Sequence, residues 1–436
     1  MAIQERLLRQ LTAIGDNLRP AADAGEKGAS QELLKQLTEA RDLCRKGLPE
    51  SDCVAYGEIY DGMVLAVEQM VKSGQGTLQE EVRSLLAEIL RGLLEKTRTE
   101  QHFKKEVVFL PYKASMWDSL ESVWKAAHED TEHCNAYVIP IPYADRNPDG
   151  SVAEWHCERE EFPKYVPTLD WQNIDLKAMH PDVIFIHNPY DEKNFVTSVE
   201  QRFYSGNLRE CTDRLVYIPY FVLGEIDPGN ESAVENIQHF IMTPGVMNSD
   251  VVIVQSEKMR EAYIEVLSKN TNVNDRTFWE RRILGLGSPK FDKVEDSKRE
   301  DYELPEEWKK IIRGRKAILY NTGLGAMLEH TDEYCNKICS VLDTFRKRDD
   351  VVLWWRPHPL LRATLQSMRP DVLKRYEEIV FQYREENWGI FDDTAELERA
   401  VAWTDGYYGD WSSVVQLYEK VGKPIMIQDV EVDNKE

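Results

Sequence analysis

The sequence has no CxxC pair, no GxGxxG or GxxxxGK[ST] loop, no excess of positive charge and no long apolar run. Each absence narrows the function. The seven cysteines (44, 53, 134, 157, 211, 335 and 339) are dispersed and odd in number, so they read as reduced thiols, not a disulfide framework. Cys335 and Cys339 share a helical face, but no nearby His or Cys completes a four-ligand set, and no metal is expected. Without glycine-rich loops there is neither a dinucleotide fingerprint nor a P-loop. A formal net charge of −23 argues against a general nucleic-acid binder, which needs a basic footprint. It also limits attachment to anionic lipid to peripheral contact at most. No stretch approaches the roughly 18 apolar residues of a membrane span, and MAIQERLLRQLTAIG lacks the layout of a cleavable signal. A cytoplasmic protein is expected.

What is present suits a folded chain. Of 436 residues 42% are hydrophobic and 10% aromatic, enough for two domains and an extra piece. Residues 1–104 read as helical. Ile3, Leu7, Leu8, Leu11, Ile14 and Leu18 fall on one stripe, residues 30–47 and 53–72 suit helices, and Thr77 with Glu80 forms a capping box before a further apolar stripe. No catalytic grouping occurs there. The expected role is packing, on the main body or on another copy, so a homo-oligomer through residues 1–100 is one expectation.

From 105 to 300 short apolar runs alternate with helical stretches. EVVFLPY (106–112), NAYVIPIPY (135–143), PDVIFIHNPYD (181–191), RLVYIPYF (214–221), SDVVIVQS (249–256) and RRILGLGS (281–288) read as buried strands. The charged stretch 293–310 reads as a linker and helix start. A second alternation fills 301–436, with strands expected at 316–323, 350–359, 377–383, 398–406 and 423–429. The predicted class is α/β, with two doubly wound, Rossmann-like domains after a helical region. Ligands bind such sheets beyond the carboxyl ends of strands, so those ends carry the interest.

Three ends stand out. Asn321-Thr322-Gly323-Leu324-Gly325 allows close backbone approach. Arg356-Pro357-His358-Pro359 fixes a cation and an imidazole on a stiff backbone. Asp410-Trp411-Ser412-Ser413 follows Asp405 and a turn at Gly406 and Gly409, and opens an amphipathic helix. Taken singly, each also suits an ordinary turn, a surface loop or a helix cap. Together they make a candidate phosphate seat at a helix N-terminus.

The ordered set resembles the CDP-glycerol glycerophosphotransferase family, whose motifs run Pro-Thr, His-Pro, Asp-Tyr-Ser-Ser and Lys-Pro-Ile. Here they stand as Asn321-Thr322, His358-Pro359, Asp410-Trp411-Ser412-Ser413 and Lys423-Pro424-Ile425. Gly287-Ser288-Pro289-Lys290-Phe291-Asp292 is similar to the family's interdomain element. The resemblance implies a GT-B fold and transfer of glycerol phosphate from CDP-glycerol to a cell-surface polymer or lipid-linked acceptor of teichoic acid biosynthesis, releasing CMP at the inner face of the cell envelope. No separate cofactor is implied. His358 would touch the donor phosphates, and Ser412 and Ser413 would hold them, with Asn321, Thr322, Gly323, Arg356 and Asp410 around them.

The sequence also departs from the family. Tyr220 stands where a presumed base His is expected, and Leu417 where a carboxylate is expected. A replacement base is His187, oriented by Asp191 or Glu225. Tyr112, Lys113, Trp117 and Tyr190 would line the acceptor side, and Tyr143, Tyr190, Tyr220 and Trp355 suit a polyol platform. The chain stops at EVDNKE soon after its last strand, without the returning helix of a GT-B fold, so a truncated or atypical end is expected. Two other readings remain open: a GT-B glycosyltransferase using a nucleotide sugar, and a catalytically impaired relative that serves as an interaction protein.

Overall fold

The computed structural model describes residues 2–18, 27–72, 80–273, 275–329, 331–394 and 396–428. Helices Ala2–Asn17, Lys27–Gly47, Glu50–Lys72 and Glu80–Thr99 form the N-terminal region. The predicted stripe faces its core: Ile3, Leu7, Leu11, Ile14 and Leu18 are buried against Leu37, Tyr56, Tyr60, Leu86, Leu90 and Leu93. Each such side chain contributes about 1.5–3 kcal/mol. The Thr77–Glu80 capping box lies outside the described residues, because Thr77 is not among them. The bundle docks on the first sheet through the buried Glu106, which meets Arg6 at 2.6 Å and Lys46 at 3.3 Å.

The next unit holds nine strands: β1 (Lys105–Leu110), β2 (Cys134–Val138), β3 (Tyr143–Arg146), β4 (Val152–His156), β5 (Val183–Ile186), β6 (Thr197–Val199), β7 (Arg214–Tyr217), β8 (Val251–Ile253) and β9 (Ile283–Leu284). Six form a parallel sheet in the order β2-β1-β5-β7-β8-β9. The other three form a small antiparallel sheet, β4-β3-β6, that the sequence reading lacked. The single strand expected at 135–143 breaks because Pro140 and Pro142 offer no N–H to a ladder. Tyr143 therefore begins the other sheet.

The last unit is a five-stranded parallel sheet of β10 (Lys316–Thr322), β11 (Val351–Pro357), β12 (Ile390–Phe391), β13 (Gly406–Gly409) and β14 (Ile425–Ile427), in the order β12-β11-β10-β13-β14. Two expected strands are corrected. Residues 377–383 belong to the helix Pro370–Glu386, which buries Val372, Tyr376 and Tyr383 at helical spacing. Most of 398–406 is the helix Leu397–Trp403. Lys423 supports that helix end, donating to the carbonyls of Val401 at 2.5 Å, Thr404 at 2.7 Å and Ala402 at 3.1 Å. The charged stretch 293–310, expected as a linker and helix start, holds the end of one helix as well as the start of another, Glu306–Ile312. The helix Pro289–Asp296 lies between the units, with Pro289 in its first turn and Lys290 paired with the buried Asp118.

Both parallel sheets reverse their winding once. In the first the switch lies between β1 and β5, above Tyr112, Lys113 and His187. In the second it lies between β10 and β13, above Asn321, Gly323 and Asp410. Crevices for ligands open at such points.

Candidate active site

At the second switch point the strand ends are tied in a knot. Asn321 Nδ2 donates to the Arg356 carbonyl at 2.9 Å, while its Oδ1 accepts from Ser412 Oγ at 2.8 Å and the Tyr407 hydroxyl at 3.2 Å. Gly323 N–H donates to one oxygen of the buried Asp410 at 2.8 Å, and Lys337 pairs with the other. Gly409, at φ 134°, lets the two strands close up: a Cβ there would lie 2.1 Å from the Asn321 carbonyl oxygen. Thr322 is fully buried and accepts from Trp355 Nε1 at 3.2 Å.

Ser412 is the N-cap of the helix Ser413–Lys420, its Oγ accepting from Val414 N–H at 3.2 Å. The cap reading of Ser412 is thus correct at this position. Among the described residues, Ser413 Oγ makes no hydrogen bond, which leaves it free beside the helix start. Trp411 is 60% exposed and reaches across to the other unit, where a Cβ on Gly224 would lie 3.4 Å from its ring.

Next to this knot a cleft of about 510 Å3 separates the two units. Its central feature is His358. The backbone N–H of His358 donates to the Thr322 carbonyl at 2.9 Å, and ring Nδ1 accepts from Leu360 N–H at 3.1 Å. Low-dielectric surroundings, then the positive charges of Lys113 and Lys290, push its pKa down to about 4. The neutral ring that accepts at Nδ1 carries its proton on Nε2, so it is a hydrogen-bond donor on its other side. Arg356 also lines the cleft but is committed, with Asp392 at 2.8 Å and the Thr394 carbonyl at 2.7 Å. Burial alone would raise the Asp392 pKa; Arg356, Thr394, Trp354 and Arg399 hold it lowered.

One wall of the cleft is aromatic and paired. Phe381 is 67% exposed beside Phe391, and Arg384 stacks on Phe391 at 4.4 Å and pairs with Asp393 at 2.5 Å. The opposite wall belongs to the first unit. Lys113 Nζ lies 3.8 Å from Glu158 and 3.9 Å from the Tyr143 ring centre, and burial lowers its pKa. Glu161 stands beside it.

Residues 229–434 match the model of the family described as CDP-Glycerol:Poly(glycerophosphate) glycerophosphotransferase. The matched stretch is similar to that family's domain and spans just under half of the chain. The resemblance read from four short motifs is thereby shown, and the two doubly wound units have the GT-B arrangement. No curated protein matches the chain in sequence. Among solved structures, UDP-GlcNAc 2-epimerase of Methanocaldococcus jannaschii with UDP-GlcNAc and UDP is similar at 9% identity and a TM-score of 0.43, covering 74% of this chain and 83% of that one. The S. aureus MnaA–UDP structure gives 10%, 0.44, 74% and 78%. The catalytic domain of starch synthase IV from Arabidopsis thaliana, bound to ADP and acarbose, gives 10%, 0.35, 76% and 86%.

The glycerophosphotransferase-like domain keeps His358 in the cleft, but the expected base, His187, is closed off from it. His187 is fully buried; Nε2 accepts from Tyr112 N–H at 3.0 Å and Nδ1 meets Ser119 Oγ at 2.9 Å. Both nitrogens are occupied, and burial first, with the positive charge of Lys290 and against the opposing Met116 backbone, lowers the pKa to about 3. It is a core histidine. Its expected orienters are elsewhere: Asp191 accepts from Ser205, and Glu225 from Gln255 at 3.0 Å and Ser256 at 2.8 Å.

Tyr220 is no base either. Burial and the neighbouring Tyr112 and Tyr190 push its pKa well above 10.0. Tyr112, Tyr143, Trp117 and Trp355 are buried in the cores, and Tyr190 packs beside Tyr220, so none of them offers an open platform. Leu417 is fully buried in the core behind the helix, where a carboxylate would be costly. Sequence reading missed Glu161, Phe381 and Arg384. Glu161 ends the charged run EREE (158–161), which looks like a solvated loop; Phe381 lies in the segment read as a strand at 377–383, and Arg384 follows it directly.

Proposed function

We propose that the protein transfers glycerol phosphate from CDP-glycerol to a hydroxyl acceptor, releasing CMP. The observation that carries this reading is the two-ended cleft. One end offers a neutral His358 with an Nε2–H donor and the Lys113 ammonium; the other offers aromatic faces and arginine. A nucleotide has the same polarity, with phosphates at one end and a flat base at the other. Nε2–H of His358 donates to the donor diphosphate and takes up part of the charge that grows on the departing CMP. Ser413 and the helix start do not line the cleft; the family resemblance supports their hydroxyl and N–H groups as further donors to the same group.

The finer reading follows the family: the acceptor is a polymer of teichoic-acid type or its lipid-linked precursor, met at the inner face of the membrane. No described helix is long and apolar enough to cross a membrane. A second reading, a relative that binds without turnover, is favoured by Tyr220, whose retained proton leaves the family's base position empty of a base.

A thermal-shift panel of CDP-glycerol, CMP, CDP-ribitol and several UDP-sugars tests the reading. Binding to the folded state raises the melting temperature. CDP-glycerol and CMP are expected to raise it, and His358→Ala is expected to remove most of the rise. A shift with UDP-sugars alone would replace glycerol phosphate transfer by sugar transfer.

A further inference from the structure

Any transfer to a hydroxyl needs a group to take its proton, and neither His187 nor Tyr220 can do so. We propose that Glu161 is that general base; the assignment rests on the transferase reading above. Glu161 ends the short turn Arg159–Glu161 and lines two cavities at once. The first is the cleft with Lys113 and His358. The second is a chamber of about 260 Å3 between the two units, which shares Glu161 and Thr394 with the cleft. Glu161 therefore stands at the junction of the space that suits a donor and the space left for an acceptor.

Its neighbours are committed and it is not. Glu158 accepts from Ala114 N–H at 2.7 Å and from the Tyr143 hydroxyl, and it faces Lys113. Glu160 pairs with Arg159 at 3.1 Å. Among the described residues, the Glu161 carboxylate makes no hydrogen bond or ion pair. Burial, then Glu158, raises its pKa above the ordinary carboxylate value, which makes it a stronger base than a solvated glutamate.

The step balances. The acceptor hydroxyl gives its proton to Glu161 as its oxygen bonds to the glycerol-bearing phosphorus. The bond from that phosphorus to the bridging oxygen breaks, and the electron pair leaves with CMP beside His358 and Lys113. The chamber is walled by Asp118, Glu121, Glu396 and Glu398, so a neutral alcohol enters it more readily than a phosphate. Glycerol is therefore the acceptor probe.

The test compares wild type, Glu161→Gln and Glu161→Asp for CDP-glycerol affinity by calorimetry and for CMP release with glycerol present. Glu161 is exposed to the cleft, so equal melting temperatures are expected for all three. Glu161→Gln should bind CDP-glycerol within about threefold of wild type and release CMP about 100-fold more slowly or worse. Glu161→Asp should recover part of the rate. CMP release by Glu161→Gln at the wild-type rate would overturn the assignment. So would loss of CDP-glycerol binding in that variant, which would make Glu161 a donor ligand. Wild type that binds CDP-glycerol but releases no CMP overturns the base and leaves donor binding standing; wild type that binds none overturns the transferase reading itself.

Discussion

Ser412 Oγ donates to Asn321 Oδ1 at 2.8 Å, across the point where the second sheet reverses its winding. The same oxygen caps the helix Ser413–Lys420. Ser412 therefore holds the strand ends in place, and its neighbour carries the free hydroxyl. The two serines are expected to separate on mutation. Ser412→Ala should cost about 1–2 kcal/mol of stability in chemical denaturation, through the lost cap and the lost hydrogen bond to Asn321 Oδ1, which keeps only Tyr407 as a donor. Ser413→Ala should leave stability within about 0.5 kcal/mol and weaken CDP-glycerol in calorimetry. Equal destabilisation by both would contradict this division.

His187 is expected to matter for folding and not for chemistry. His187→Ala leaves the buried Tyr112 N–H without its acceptor, which costs on the order of 1–3 kcal/mol, and adds a cavity. The folded variant should bind CDP-glycerol as wild type does. Lost binding with unchanged stability would return His187 to the site.

Protonation gives a signed pattern. His187 at about 3 and His358 at about 4 both lie below the ordinary 6.5. Their contribution is full above pH 6.5 and is lost as pH falls toward those values. In histidine NMR titrations neither ring should protonate between pH 5 and 8.

Glu398 acts in the opposite direction. Burial first and Asp118 next raise its pKa from 4.5 to about 7, against the opposing pull of Lys293. Its contribution is present below pH 4.5 and lost as pH rises through 7. Glu398→Gln should therefore gain stability relative to wild type as pH rises from 5 to 8, on the order of 1–3 kcal/mol. Denaturant melts at the two pH values check it, and a gap that does not widen would contradict it.

The fold was legible where periodicity was long or continuous. The Ile3–Leu18 stripe and the buried runs at β1, β5, β7, β10 and β11 all lie in the expected elements. It failed where runs were short. Residues 377–383 hold β-forming side chains, yet helical burial of Tyr376 and Tyr383 decides them, and the two prolines after Val138 divert the chain into a second sheet. The placement of His358 at a strand end and of Ser412–Ser413 at a helix start was legible because rigid or capping residues follow strands. His187 looked the same in sequence, since burial under a loop leaves no local mark. Glu161 was invisible because its meaning depends on a cavity formed by two distant segments.

The central claim is a reaction, so 31P NMR of wild type with CDP-glycerol and glycerol tests it most directly. The account predicts that the paired diphosphate resonances decay while CMP and a glycerol phosphodiester appear together in equal amounts. Diphosphate resonances that persist unchanged, with enzyme shown to be folded, would contradict it.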